Sequence, residues 1–218
     1  MTDDIPISIE TLPALKLGFC QLDEESVSSI NNYVDENAEN SVDLSSELVG
    51  QIKQNKKSSQ LKFDMKDKVP AQFGKFLSLA ARKYVSEHNI SAKRFVISQI
   101  WTVHSYAGDY NPLHEHGTET GRGISCILYL KVPALLDPSD FDLVGMKNNS
   151  GLCDGWTQFI WGANGTMDLS NFKHSTETFV KPEVGKLVIF PIWLKHQVMP
   201  FFGEGERRSL SVNIDIHV

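Results

Sequence analysis

The stretch NPLHEHGTE carries two histidines one residue apart, His114 and His116, with Glu115 between them and Glu119 just beyond. In an extended chain residues i and i+2 leave the same face, so the two imidazoles point together and Glu115 points away. Neutral imidazole is the commonest protein ligand for zinc, iron, copper and nickel, and two on one face can share an ion. The HxH pattern is short enough to arise by chance, and a hydrated polar turn accounts for it equally well. A third imidazole changes that balance. His196 lies in FPIWLKHQVMP, among apolar neighbours, where a polar ring needs either a backbone carbonyl or a metal. His104, in WTVHSY, reads as structural; His88, His174 and His217 read as exposed.

Eleven residues after His196 comes the second chemical feature, ERRSLSVNI. Strand alternation puts Arg207, Ser209, Ser211 and Asn213 on one face and Arg208, Leu210, Val212 and Ile214 on the other. A polar strand face usually meets solvent. A guanidinium beside a hydroxyl is also a natural clamp for a carboxylate, because its planar fork donates two parallel hydrogen bonds.

These residues need a scaffold. From Arg94 onward the hydrophobic pattern has period two, and RFVISQIWTVHSY, ISCILYLKV, TQFIW, STETFVK, GKLVIFP and RRSLSVNIDI read as six strands parted by Gly, Pro and Asn clusters. Ahead of them, ALKLGFC alternates Leu15, Leu17 and Phe19 as a half-buried strand. Asp23 then caps a helix spaced Val27, Ile30, Tyr33, Val34. A second helix, PAQFGKFLSLAARKYVSEHN, starts at Pro70 and carries the stripe Phe73, Phe76, Leu77, Ala80, Tyr84 and Val85, suited to packing on a sheet. Residues 35–67 between the helices are polar and weakly periodic, with a short alternation at Leu61, Phe63 and Met65. The pattern predicts a mainly β fold with supporting helices, a jelly-roll type double sheet, an architecture whose mouth often holds a ligand. Of the tryptophans, Trp101 and Trp161 fit core packing; Trp156, at the end of a Gly/Asn-rich connection, is a candidate for substrate contact.

The 218 residues, 41% of them apolar, suffice for one domain, divided into an N-terminal strand and supporting helices (1–93) and a β core (94–218). Twenty-one basic and 27 acidic residues leave a net charge of −6 with no basic block, arguing against nucleic acid or an anionic membrane as partner. The start, MTDDIPISIE, lacks the features of a secretory signal, and no apolar run reaches the ~20 residues of a membrane span, so a cytoplasmic location is expected. Cys20, Cys126 and Cys153 are too few and scattered for a disulfide framework and are expected to be reduced.

In combination, His114-x-His116, His196 and Arg207-x-Ser209 resemble the Fe(II)/2-oxoglutarate-dependent oxygenases, which carry a histidine, x, acid pair, a distant histidine and an Arg-x-Ser about ten residues later. SYAGDYNPLHEHG, ISCILYL and GKLVIFPIWLKHQVMPF look like the small prolyl-hydroxylase-like group of marine bacteria and phages. The resemblance spans Trp101 to Val218. It implies a double-stranded β-helix (cupin-like jelly roll) using Fe(II), 2-oxoglutarate and O2. Arg207, with Ser209 and Tyr129, would hold the far carboxylate of 2-oxoglutarate. A C–H bond of a protein, peptide or free amino acid would be hydroxylated, a prolyl side chain being one candidate. Tyr106 and Tyr110, ahead of His114, carry the prolyl-hydroxylase flavour and are substrate-side candidates. The departure is the family's acid, here His116. Either His116 is itself the second ligand, or Glu119 folds back to supply a carboxylate, or the position is vacant as in the family's halogenases; extended geometry favours His116, then Glu119. Two competing readings use the same histidines: a non-catalytic cupin-like binder of a metal or small acid, which gives Arg207 no role, and a zinc hydrolase with Glu115 or Glu119 as general base.

Overall fold

The computed structural model describes residues 15–47, 59–135, 153–163, 165, 167–171 and 173–218. Its ten strands are β1 (Gly18–Gln21), β2 (Ser59–Lys62), β3 (Arg94–Ser105), β4 (Asn111–His114), β5 (Gly123–Lys131), β6 (Thr157–Ile160), β7 (Glu177–Val180), β8 (Lys186–Pro191), β9 (Lys195–Val198) and β10 (Arg207–His217). The helices are α1 (Glu24–Asn37) and α2 (Lys68–Ser86). All strand pairs are antiparallel. One sheet has the order β1-β8-β5-β10-β3-β2 and the other β4-β9-β6-β7, so the double-sheet jelly roll expected from the period-two pattern is present.

Each helix forms for local reasons. Asp23 caps α1 by accepting from the Ser26 amide at 2.7 Å, and Val27, Ile30 and Val34 are buried one turn apart. Pro70, in the first turn of α2, gives up an N–H that has no helical partner there, and Phe73, Leu77, Ala81, Tyr84 and Val85 form the buried stripe. Both stripes pack on one face of the large sheet, against Cys126, Leu128, Ile189, Leu210, Val212 and Ile214.

The other face of the large sheet looks toward the small sheet across Ile127, Tyr129, Phe159, Val188, Phe190 and Leu194. The chain is therefore layered as helices, large sheet, small sheet, and β10 is covered on both sides. That corrects the solvent-facing reading of its polar stripe: Arg207, Ser209 and Asn213 are buried, as is Arg208 on the helix side. Where β3 pairs with β10 the register shifts between Asn213 and Ile214, leaving Ser98 as the extra residue of a bulge.

Three smaller expectations are corrected. Phe19 is 56% exposed, because β1 is the edge strand and Cys20 on its opposite face makes the helix-side contact. Trp161 is 41% exposed, lying just past the end of β6. The short strand before α2 is Ser59–Lys62, which leaves Phe63 and Met65 beyond its end. Cys20, Cys126 and Cys153 are free. No helix among the described residues is long and apolar enough to cross a membrane. Most of the connection 137–156 lies outside the described residues.

Candidate metal centre and cosubstrate pocket

The small sheet brings the histidines together. β4 is its edge strand, the position in a sheet that tolerates Pro112, and β9 lies beside it with His114 directly opposite His196. His116 falls just past the end of β4, where its amide donates to the Ile192 carbonyl at 3.1 Å and so keeps the segment alongside the turn between β8 and β9. The three rings converge: centroids are 4.3 Å apart for His114 and His196 and 5.1 Å for each pair with His116. One ring nitrogen of each lies within 4.8 Å of the others.

The backbone decides which nitrogens are free. Nδ1 of His114 meets the Pro112 carbonyl at 2.7 Å, and Nδ1 of His196 meets the Leu194 carbonyl at 2.9 Å. A carbonyl only accepts, so each Nδ1 carries the proton and each Nε2 keeps its lone pair for a ligand. Trp101 stands edge-on to His116 at 5.7 Å, and Phe190 lies 4.9 Å from His196, walling the group with apolar rings. Burial, reinforced by the other imidazoles, pushes His196 down to about 3 and His116 to about 4; burial also lowers His114 against the pull of the Pro112 carbonyl. All three are neutral near pH 7, the state a metal ligand needs. Glu115 and Glu119 are both exposed and outside this group.

Arg207 is 2% exposed at the start of β10. Its Nε donates to the Gly155 carbonyl at 3.2 Å, its Nη2 to the Thr157 hydroxyl at 3.4 Å, and the guanidinium lies over the Tyr129 ring with 5.2 Å to the centroid. Gly155 presents that carbonyl from φ +68°, a conformation side chains disfavour. Among the described residues no carboxylate oxygen comes within 4.0 Å of Arg207. Burying an unpaired charge costs several kcal/mol, and the expected relief is a carboxylate ligand. Desolvation accordingly lowers the pKa of Arg207. Its neighbour Arg208 points the other way, to Glu206 at 2.8 Å and Asp35 at 2.5 Å, in a helix-side network where Glu206 also meets His104 Nδ1 at 2.7 Å.

His114, His116, His196, Arg207 and Ser209 line one cavity of about 1150 Å³. Three neutral nitrogen donors and a guanidinium with no carboxylate partner among the described residues, lining one cavity, suit a metal ion chelated by a small dianionic acid whose second carboxylate reaches Arg207. A family model for putative 2OG-Fe(II) oxygenases matches residues 99–213, more than half of the sequence and the whole span from Gln99 on β3 to Asn213 on β10. The chain belongs to the 2OG-Fe(II) oxygenase family. As a member it is an Fe(II)- and 2-oxoglutarate-dependent oxygenase, and the donor set just described fits both groups. Solved structures similar to this oxygenase include a prolyl-4-hydroxylase from Pseudomonas putida (15% identity, 93% of this chain and 92% of that one, TM-score 0.56). Another is the viral collagen prolyl hydroxylase of Paramecium Bursaria Chlorella virus-1 (15%, 93% and 96%, 0.55). A third is HygX from Streptomyces hygroscopicus (11%, 92% and 83%, 0.55). At these identities the likeness shows the fold. No curated protein matches the oxygenase.

Not every expected site residue lines the cavity, although Tyr129 does meet Arg207. Tyr129 is fully buried beneath Arg207, its hydroxyl 2.7 Å from that of Thr157. Tyr106, Tyr110 and Trp156 do not line the cavity: Tyr106 faces the charges of Glu206, Asp35 and Arg208, and Trp156 is held through its backbone by Cys153 and Met199. Conversely, local sequence pattern does not mark Trp101, Thr157 or the Gly155 carbonyl as site groups. Nor does it mark a polar row across three strands, in which Ser125 Oγ donates to Asn213 Oδ1 at 2.7 Å and Asn213 Nδ2 to Gln99 Oε1 at 3.0 Å. Alternation puts Asn213 on the right face; its register partners Ser125 and Gln99 follow only once the pairing is known.

Proposed function

We propose that His114, His116 and His196 hold the ferrous ion through Nε2, that Arg207 holds the far carboxylate of 2-oxoglutarate with Ser209 beside it, and that the oxygenase hydroxylates a C–H bond of a peptide or protein. The observation that carries this reading is Arg207: a buried cation with no acidic partner among the described residues, opening on the same cavity as three metal-competent imidazoles. With iron and 2-oxoglutarate bound, the site supplies a two-electron oxidation by O2 in which the oxo acid leaves as succinate and CO2 and one oxygen atom enters the substrate. The chain's own part is positional. Tyr129, Thr157 and the Gly155 carbonyl fix the guanidinium, the Pro112 and Leu194 carbonyls fix two imidazoles, and Trp101 and Phe190 keep water from the donors.

The zinc-hydrolase reading is disfavoured because both candidate bases, Glu115 and Glu119, face solvent. The same exposure favours His116 over Glu119 as second ligand. A peptide substrate is supported by the prolyl hydroxylases among the similar structures, one of them complexed with a hypoxia inducible factor peptide fragment. The proposal includes a cytoplasmic location without a nucleic-acid or membrane partner, in keeping with a net charge of −6 and no basic block. The division of the chain into supporting residues 1–93 and a core 94–218 working as one domain agrees with β1 and β2 forming the two edges of the large sheet.

The test is spectroscopic. Adding Fe(II) and 2-oxoglutarate without oxygen should produce the visible metal-to-ligand charge-transfer band, and His196→Ala and Arg207→Ala should each abolish or strongly weaken it. No band in the wild type, or an unchanged band in both variants, rejects the assignment.

A further inference from the structure

The cavity is larger than the cosubstrate requires. Pockets for small ligands run to about 300–1,000 Å³, and here about 1150 Å³ continues past the histidines along β3. Its wall includes Phe95, Val96, Ile97, Ser98, Gln99, Ile100 and Trp101, seven residues in unbroken succession. A strand that opens one face to a cavity contributes every second residue. β3 therefore borders the cavity with both faces of this stretch, and whether its edge is also open is a matter of pairing.

Among the described residues, part of the β3 edge has no partner strand. β10 pairs with β3 over its whole length, but on the other side β2 reaches only Trp101 to His104, with one further bond from the Phe63 amide to the Ile100 carbonyl. From Arg94 to Gln99 the outward backbone groups have no strand partner among the described residues. Long open edges invite a further strand. The cavity is also lined by the α2 residues Ala71, Gly74 and Ser78, with the Met65 side chain against Gly74. Exposed Lys62, Lys66 and Lys75 on the walls outnumber Asp64 and Glu47, in a chain of net charge −6.

We propose that the open edge of β3 from Phe95 to Gln99 binds an extended peptide segment of the substrate by strand addition, leading the residue to be oxidised to the three histidines. This rests on the oxygenase reading above and names its substrate class. At about 3.3 Å per residue the stretch spans about 17 Å, carries the bulge at Ser98, and ends at Gln99, whose side-chain oxygen accepts from Asn213 Nδ2. Main-chain bonds supply affinity, and the lysines favour an acidic flank.

The test uses the Fe(II)-loaded enzyme with capped synthetic nonapeptides that differ at the central residue and carry acidic or basic flanks. Peptides should raise succinate release above the peptide-free rate where the corresponding free amino acids do not. Because an added antiparallel strand bonds through alternate residues, N-methylation of the peptide should raise KM by about tenfold or more at alternate amides and little at those between, with the alternation shifting by one residue opposite the Ser98 bulge. In the anaerobic complex, hydrogen exchange at Phe95–Gln99 should slow. Gly74→Phe, which fills the groove, should raise KM for peptides with little change in kcat. The proposal is overturned if free amino acids serve as well as peptides, if N-methylation shows no alternation, or if no peptide is accepted while the Fe(II)/2-oxoglutarate band is intact. A concentration-dependent dimer that protects the same amides without peptide assigns the edge to a second copy and also overturns it. Loss of the band itself rejects the oxygenase site rather than the groove.

Discussion

His114 and His196 are direct cross-strand partners on β4 and β9, with ring centroids 4.3 Å apart and each Nδ1 tied to the carbonyl two residues earlier. Two separate strands thus present Nε2 from the same local device, which fixes tautomer and ring plane before any metal arrives. The arrangement makes the identity of the third donor the variable part of the site.

Replacing His116 tests that donor. His116→Ala should weaken Fe(II) binding by an order of magnitude or more, whereas His116→Asp should keep binding and move the charge-transfer band, because a carboxylate removes one unit of positive charge from the centre. Anaerobic absorption titrations read both. Wild-type affinity in His116→Ala would remove His116 from the ligand set.

Arg207→Met should separate stability from binding. The variant loses a buried cation with no acidic partner among the described residues, so the ligand-free protein should hold its Tm or gain a few degrees. Its Kd for 2-oxoglutarate should rise on the order of 100-fold. In the wild type, saturating 2-oxoglutarate with Fe(II) should raise Tm, and in the variant it should not. Calorimetry with and without the oxo acid checks the pair of signs; a lower Tm in the ligand-free variant would mean that Arg207 is structural.

Tyr129→Phe removes the hydroxyl shared with Thr157 but keeps the ring under the guanidinium. A cost of about 1 kcal/mol is expected, read as a severalfold weaker 2-oxoglutarate Kd with unchanged Fe(II) affinity. Tyr129→Leu, which also removes the ring, should lose more.

The metal-free protein should be acid-sensitive. Burial holds His196 at about 3 and His116 at about 4 in the folded chain, against about 6.5 when unfolded. Between those values the unfolded chain binds protons that the folded chain refuses, so stability is full above pH 6.5 and falls as pH drops toward 4. Denaturant midpoints measured from pH 7 to 4 should decline, and less so in His196→Phe. Glu206, where burial is outweighed by His104 and Arg208 and the carboxyl sits at about 2, adds its loss only below about 4.5.

The strand periodicity of the second half of the chain, the capped helix after Asp23 and the α2 stripe were all legible, because each is written in neighbouring residues. So were the candidates His114, His116, His196 and Arg207, through residue type and order. Which polar face is buried was not legible. Ser209 and Asn213 alternate like a solvent-facing strand, and only the small sheet laid over them makes that face an interior. Trp101 and Trp161 show the same limit: both sit in or beside strands, yet one lines the cavity and the other meets solvent, according to what lies over each.

By itself, then, the sequence determined the mainly β class, the chemical types at the site and their order along the chain, since these depend on composition and local period. The tertiary structure alone decided that β4 and β9 set His114 against His196 and, among the described residues, that Arg207 is left without an acid and that β3 extends beyond its pairing with β2. Register and layering are relations between segments far apart in the chain, and no local pattern encodes which distant partner covers a given face.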